Sequence, residues 1–263
     1  MKSERIKIIT ILWGTKYDED DLNRLHSMIS RNLSSQFDFF VFSNEDLPKL
    51  SPSIKQLPEP GQKREIYSNS LNYRKEAALC DDELGGLKNH RVFFFDLDVL
   101  VVGNLDELFN YPRGDEFYII NDWNTKGNHV GQATCYSFVV GKLGFIKKHF
   151  EENHSTVIKE FGTASQEYLS FHVINRFGKL NFWPDCWFRS FRFHCLPSWP
   201  FRKFIIPSPP PPETKVLAFH GHPDIKDALA GRWAPPGLKK SAHGWKKIYK
   251  QCRKTDWILD YWR

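Results

Sequence analysis

Two apolar runs, IKIITILW (residues 6–13) and FDFFVFS (37–43), bracket a stretch in which Leu22, Leu25, Met28 and Leu33 recur at helical spacing. Neither run shows the polar alternation of a half-exposed strand, so both faces of each strand must be covered. Doubly buried strands in the order strand, helix, strand are the mark of a βαβ unit. The expected class is therefore α/β, with a mostly parallel central sheet flanked by helices. The acidic cluster Asp18, Glu19, Asp20 and Asp21 falls just before the helix, where capping and the helix dipole explain it.

Further along, proline and glycine punctuate residues 48–61, which reads as loop, and a helix is expected over about 70–80, carrying Arg74 and Lys75. FYIIND (117–122) and TCYSFVVG (134–141) read as strands, and 142–152 and 165–176 as helices. PSPPPPE (207–213) reads as a stiff surface spacer. KVLAFHGHPDIKDALAG follows it as a strand, a turn at Gly221 and a short helix. No internal repeat is visible, and 263 residues with 41% apolar content suit one large α/β domain or two small ones.

Composition narrows the setting. No run approaches the roughly 18 apolar residues of a membrane helix, and MKSERIKIITILW is too charged for a signal peptide, so a cytoplasmic protein is expected. Cys80, Cys135, Cys186, Cys195 and Cys252 have no CxxC spacing and are expected to be reduced thiols rather than zinc ligands. The net charge of +6 points to an anionic partner. No nucleic-acid-binding module accompanies that charge, so nucleic acid is not expected.

The run VFFFDLDVLVV (92–102) reads as one strand interrupted only by Asp96 and Asp98. Strand alternation points both to the same side. Two close carboxylates in an apolar setting repel, and burying them uncompensated costs several kcal/mol. Lys or Arg could compensate them, but a hard divalent cation such as Mn²⁺ or Mg²⁺ is the stronger solution and is commonly shared with phosphate groups. In parallel sheets ligands gather at the carboxyl ends of strands, where this run would emerge. The later VLAFHGHPDIK contributes His220, His222 and Lys226 at another strand end. Imidazole is a good Mn²⁺ ligand, and the lysine could neutralise a diphosphate.

With these segments side by side, the sequence resembles GT-A glycosyltransferases, in the branch that holds glycogenin and bacterial lipooligosaccharide galactosyltransferases. The likeness spans about residues 6–230. It rests on the Asp-x-Asp within RVFFFDLDVLVVGNLDELF and on the spacing from His220 to Lys226. It implies a GT-A, Rossmann-like nucleotide-diphospho-sugar transferase fold over 1–236, with a nucleotide half of about 1–105, an acceptor half of about 106–236 and a helical tail over 237–263. It implies that Asp96, Asp98 and His220 bind Mn²⁺ or Mg²⁺, with His222 as the alternative imidazole. In this sequence glycine stands one residue after His220, and Asp227 and Ala228 stand where relatives carry Pro-Trp.

The same resemblance places Trp13, Gly14, Thr15 and Tyr17 of ILWGTKY near the base, and Arg74, Asp96 and Lys226 at the nucleotide. SQEYLS matches the sugar-contacting Asp-Gln pair at Gln166, with Ser165 in place of Asp. Asp122, at the end of FYIIND, is a second candidate for sugar contact or for the base. The implied activity is metal-dependent transfer of a hexosyl group from a nucleotide sugar, UDP-linked, to a glycan or lipid-linked saccharide acceptor, with retention. FFFDLDVL also resembles the opening of haloacid-dehalogenase-type phosphatases, in which Asp96 would be the nucleophile. A non-catalytic carbohydrate-binding protein, stacking its many aromatic rings on sugars, is the third reading. The tail GWKKIYKQCRKTDWILDYWR interleaves cations with Trp245, Tyr249, Trp257, Tyr261 and Trp262. It suits either peripheral contact with an anionic membrane or rings packed on the domain beneath a solvated basic face.

Overall fold

A computed structural model describes residues 5–61, 66–67, 72–124, 129–237, 245 and 249–263. Contacts group them into two compact units interleaved along the sequence. The first draws on 5–23, 35–96 and 106–183, and the second on 24–34, 97–105 and 184–263. The halves expected on either side of residue 105 follow chain order. Contacts follow the sheets instead, because the segment after Asp96 pairs with strands from the end of the chain.

The first unit is built on β1 (Ile6–Ile11), β2 (Phe37–Phe42), β3 (Ile54–Leu57), β4 (Arg91–Phe95), β6 (Tyr118–Asn121), β7 (Gly131–Val139) and β8 (Asn181–Phe182). They form one sheet in the order β3-β2-β1-β4-β7-β6-β8. β1 pairs in parallel with both β2 and β4, as the βαβ pattern predicts, while β7 runs antiparallel to β4 and β6. The helix between β1 and β2 is α1 (Glu19–Asn32), which passes from the first unit to the second at Arg24; its first turn holds Glu19, Asp20 and Asp21, and its Leu22, Leu25 and Met28 are buried. Ile9, Phe42, Phe94, Tyr136 and Phe138 of the sheet join Tyr73, Phe150 and Tyr168 in one core. Tyr73 and Phe150 stack there with ring centroids 4.4 Å apart.

Three expectations change in this unit. Residues 48–61 are not all loop, because β3 lies within them as the sheet's edge strand, parallel to β2. One pairing partner suffices for an edge strand, so its short, half-exposed IKQL pattern hides among the prolines. The helix expected over about 70–80 is a single turn, α2 (Tyr73–Glu76), followed by a 3-10 turn over Ala78–Cys80; residues 70 and 71 lie outside the described residues. Beyond α3 (Asp106–Asn110) and the expected α4 (Gly144–Glu152), an unexpected α5 (His154–Phe161) precedes α6 (Ser165–Phe177).

The run 92–102 is two strands rather than one. β4 stops at Phe95, the Asp96 N–H still donates to the Thr134 carbonyl at 2.9 Å, and the chain then leaves the sheet. Val99–Val101 forms β5 in a second sheet of the order β5-β10-β9, with β9 at Phe188–Ser190 and β10 at Val216–Ala218. Alternation along one strand therefore does not set the two aspartates' directions. Both sit half-buried at the break, between fully covered residues. Glycine is required just beyond. A Cβ on Gly103 would lie 2.6 Å from the Thr214 carbonyl oxygen, which leads into β10.

The second unit continues through a bend at Gly221, whose φ of +78° suits glycine, into α7 (Ile225–Leu229). Its tail is not an α-helix among the described residues. A 3-10 turn over Asp256–Asp260 ends the chain, with Ile258 buried and the Trp257 indole donating to the Pro207 carbonyl at 2.8 Å. Residues 238–244 and 246–248 of the expected tail lie outside the described residues. No helix among the described residues is long and apolar enough to cross a membrane.

Candidate functional site

In the first unit, β1 delivers Trp13, Gly14, Thr15 and Tyr17 into the polar turn beyond its carboxyl end. Gly14 has φ +67°, Thr15 is exposed, and the Lys16 ammonium lies 4.6 Å over the Tyr17 ring. α2 brings two cations forward. The Arg74 guanidinium lies 5.8 Å over the Trp13 ring and donates to both carboxylate oxygens of Glu59, at 2.7 and 2.8 Å. Trp13 and Arg74, sixty-one positions apart in sequence, are thus neighbours.

The cation that reaches the aspartate motif is Lys75, to which the sequence attached no role. Its ammonium pairs with the Asp96 carboxylate and lies 3.7 Å from Glu76. Its carbonyl accepts the Tyr136 hydroxyl at 2.6 Å, which ties the turn of α2 to β7. Glu76 is buried beside it. Burial pushes its carboxyl up to about 7 and the Asp96 charge adds to that push, while the Lys75 ammonium and a hydrogen bond with the Ser165 side chain pull the other way. Lys75, Glu76, Asp96 and Ser165 form a polar cluster whose existence no local pattern announced.

Ser165 opens α6, so Gln166 stands in that helix's first turn, half-buried, its carbonyl accepting the Ser170 hydroxyl at 2.7 Å. Asp122 is buried at the end of β6 and accepts the Asn124 N–H at 3.1 Å, as a turn aspartate does.

The second unit makes the other long-range connection. β5 and β10 pair antiparallel with Val99 opposite Ala218, and the Phe219 N–H donates to the Asp98 carbonyl at 2.8 Å. This register sets Asp98 and His220 at the same end of the second sheet. The His220 ring stacks on Phe193 with centroids 5.7 Å apart, and its Nε2 is 2.8 Å from the hydroxyl of buried Ser190 on β9. A hydrogen bond at one imidazole nitrogen orients the ring.

The two histidines are in different situations. His222 lies 3.5 Å from Asp227, a buried carboxylate that also accepts from Arg232 at 2.7 Å. That contact makes His222 part of the packing of α7. Lys226 is exposed on α7, behind the Asp224 cap, which accepts the Asp227 N–H at 2.8 Å.

Two carboxylates and an imidazole are a donor set suited to Mn²⁺ or Mg²⁺. Among the described residues no three His, Cys, Asp or Glu side chains stand together closely enough to hold an ion, and Asp96 is held by Lys75. An ion taken up at Asp96 would replace that ammonium as the counter-charge. The donor set fits such an ion by its chemistry.

The sequence matches no family model and no curated protein. Among solved structures, the glycosyltransferase GlyE of Streptococcus pneumoniae TIGR4 aligns over 93% of this chain at a TM-score of 0.51 and 13% identity. The chain shares its fold with a glycosyltransferase. It spans only 60% of the GlyE chain, and the apo form of GlyE matches similarly, at a TM-score of 0.50. The galactosyltransferase LgtC, in complex with donor and acceptor sugar analogs, aligns over 82% of this chain and 87% of its own, at 14% identity and a TM-score of 0.48.

Proposed function

We propose that the protein is a metal-dependent glycosyltransferase. It moves a hexosyl group from a nucleoside-diphosphate sugar, UDP-linked, to a hydroxyl of a glycan or lipid-linked saccharide, with retention. The observation that supports this reading best is the pairing of β5 with β10, which sets Asp98 and His220 at one sheet end within a glycosyltransferase fold.

Asp96, Asp98 and His220 would hold Mn²⁺ or Mg²⁺, which when bound supplies Lewis-acid stabilisation of the departing diphosphate. The chain's own residues do the rest. Trp13, with Gly14, Thr15 and Tyr17 beside it, offers a ring face and a bare backbone to the base. Arg74, fixed by Glu59 and not free to swing, supplies a positive charge of set position, and Lys226, exposed on α7, supplies another. Such charge matters most as negative charge grows on the leaving group. Gln166 orients the sugar from the first turn of α6, and the acceptor hydroxyl attacks from the face the diphosphate leaves. Asp122 contacts the sugar or takes the acceptor's proton.

Thermal shift with UDP- and GDP-sugars, with and without Mn²⁺, tests the reading. A donor that binds raises the melting temperature by mass action only when the ion is present. Asp98→Ala and His220→Ala should each abolish the metal-dependent part. Hydrolysis of phosphate esters that Asp96→Asn removes would establish the phosphatase reading instead. Oligosaccharide binding that survives EDTA, without donor binding, would establish the lectin reading.

A further inference from the structure

The second unit exposes a short segment that none of the chemistry above uses. In WPFRKFII (199–206), Trp199, Phe201, Phe204, Ile205 and Ile206 are each about half exposed or more, Phe204 at 70%. Single exposed apolar side chains are ordinary, but five within eight residues form a patch of the kind that marks an interaction surface. The two residues between the rings are cations, Arg202 and Lys203.

Those same cations line a cavity of about 530 Å³, together with Arg232, Lys250, Arg253 and the buried ring of Trp233. No Asp or Glu is among its described lining residues. Arg202 is held there by backbone carbonyls, those of Pro197 at 3.0 Å and Tyr249 at 3.4 Å, with its guanidinium 5.5 Å over Trp233. Burial and the nearby Arg192 charge lower its pKa, as happens when a cation lacks a compensating anion. The wider charge distribution agrees. Residues 184–263 contain fifteen Lys and Arg against six Asp and Glu, whereas residues 1–183 contain twenty-two against twenty-five.

We propose that the 199–206 segment and the adjoining basic cavity form a docking surface for an anionic lipid bilayer, the aromatic and isoleucine side chains entering the headgroup boundary and the cavity taking a lipid phosphate. The apolar half and the cationic half need each other. Aromatic and branched side chains favour the interfacial layer, and cations beside them favour a negatively charged leaflet. A soluble anion would use the cavity but leave the apolar segment in water, and a neutral protein partner would cover the segment but bring no anion to the cavity. The surface takes Lys250 and Arg253 from the terminal tail but not its last rings, since Trp257 is already bonded to Pro207 and the Trp262 ring lies 4.4 Å beneath Arg24.

Co-sedimentation of the full chain with vesicles tests this independently of any transferase activity. Vesicles of phosphatidylcholine mixed with phosphatidylglycerol should bind it roughly tenfold or more tightly than phosphatidylcholine alone, less so as salt rises. Phe204→Ser with Ile206→Ser should lower binding to the mixed vesicles, and so should Lys203→Glu with Arg253→Glu. All four residues are exposed, and circular dichroism checks that both double variants fold. Equal binding to the two vesicle types, or unchanged binding by either double variant, overturns the proposal. So does an absence of vesicle binding, including the case in which inorganic pyrophosphate binds and the charge-reversed variant loses it, since the cavity then serves a free anion.

Discussion

Asp96 and Glu76 meet one ammonium, that of Lys75, and the outcome differs for each. Asp96 keeps a direct ion pair, whereas Glu76 is fully covered and has its carboxyl raised to about 7 from an ordinary 4.5. A raised carboxyl means that the folded state retains a proton the unfolded chain has already lost. Stability on this account is greatest at and below about pH 4.5, falls as the pH climbs through 7, and is level above that. Glu76→Gln copies the protonated form. The variant should therefore exceed the parent in stability at pH 8 by up to about 3 kcal/mol and match it at pH 4.5, as read from urea denaturation at the two pH values. A variant less stable than the parent at pH 8 would mean that Glu76 is charged there and held by Lys75. None of this is visible along the sequence. YRKE looks like an ordinary helical turn until β4 and α6 bring Asp96 and Ser165 to it.

Among the elements, the break between β4 and β5 has the largest consequence. The apolar residues on either side were readable as strand, because nothing else suits an uninterrupted run of Val, Phe and Leu. The change of sheet was not, because it depends on β10, more than a hundred residues later, offering its edge to β5. Gly103 holds that exchange in place by letting the backbone pass against the Thr214 carbonyl. Gly103→Ala forces a methyl group into backbone rather than into a flexible side chain. A loss of roughly 1–3 kcal/mol is expected in chemical denaturation. A donor-induced thermal shift, if the transferase reading holds, should weaken with it, since Asp98 and His220 depend on the same pairing. β3 and α5 escaped the sequence for a simpler reason: an edge strand and a short helix have too few buried positions to impose a period.

For the molecule as a whole, the cysteines report on both units at once. Cys80 and Cys135 belong to the first, Cys195 and Cys252 to the second, and all four are buried free thiols; only Cys186 is half-exposed. Burial pushes the Cys195 thiol up to about 12 and the Cys252 thiol to about 11, and raises Cys80 and Cys135 as well, so none of the four supplies thiolate near neutral pH. Titration of the native protein with an aromatic disulfide reagent should consume one thiol rapidly and all five in denaturant. Cys186→Ser should abolish the rapid phase. Rapid reaction of a second thiol would show that one unit opens readily on its own.

The α/β class and the parallel pairing of β1 with β2 could be drawn from the chain without coordinates, and so could the candidacy of Asp96, Asp98 and His220. Each rests on local information: apolar runs long enough to need cover on both faces, and charges placed where burial would be costly. Tertiary structure decided which partner meets each of those charges. It assigned Lys75 rather than Arg74 to Asp96, gave His222 to Asp227, set His220 at the same sheet end as Asp98, and gathered cations from three distant stretches beside one run of exposed apolar side chains. Such pairings depend on sheet register and chain crossover, which act across more than a hundred residues and leave no periodic trace in the sequence.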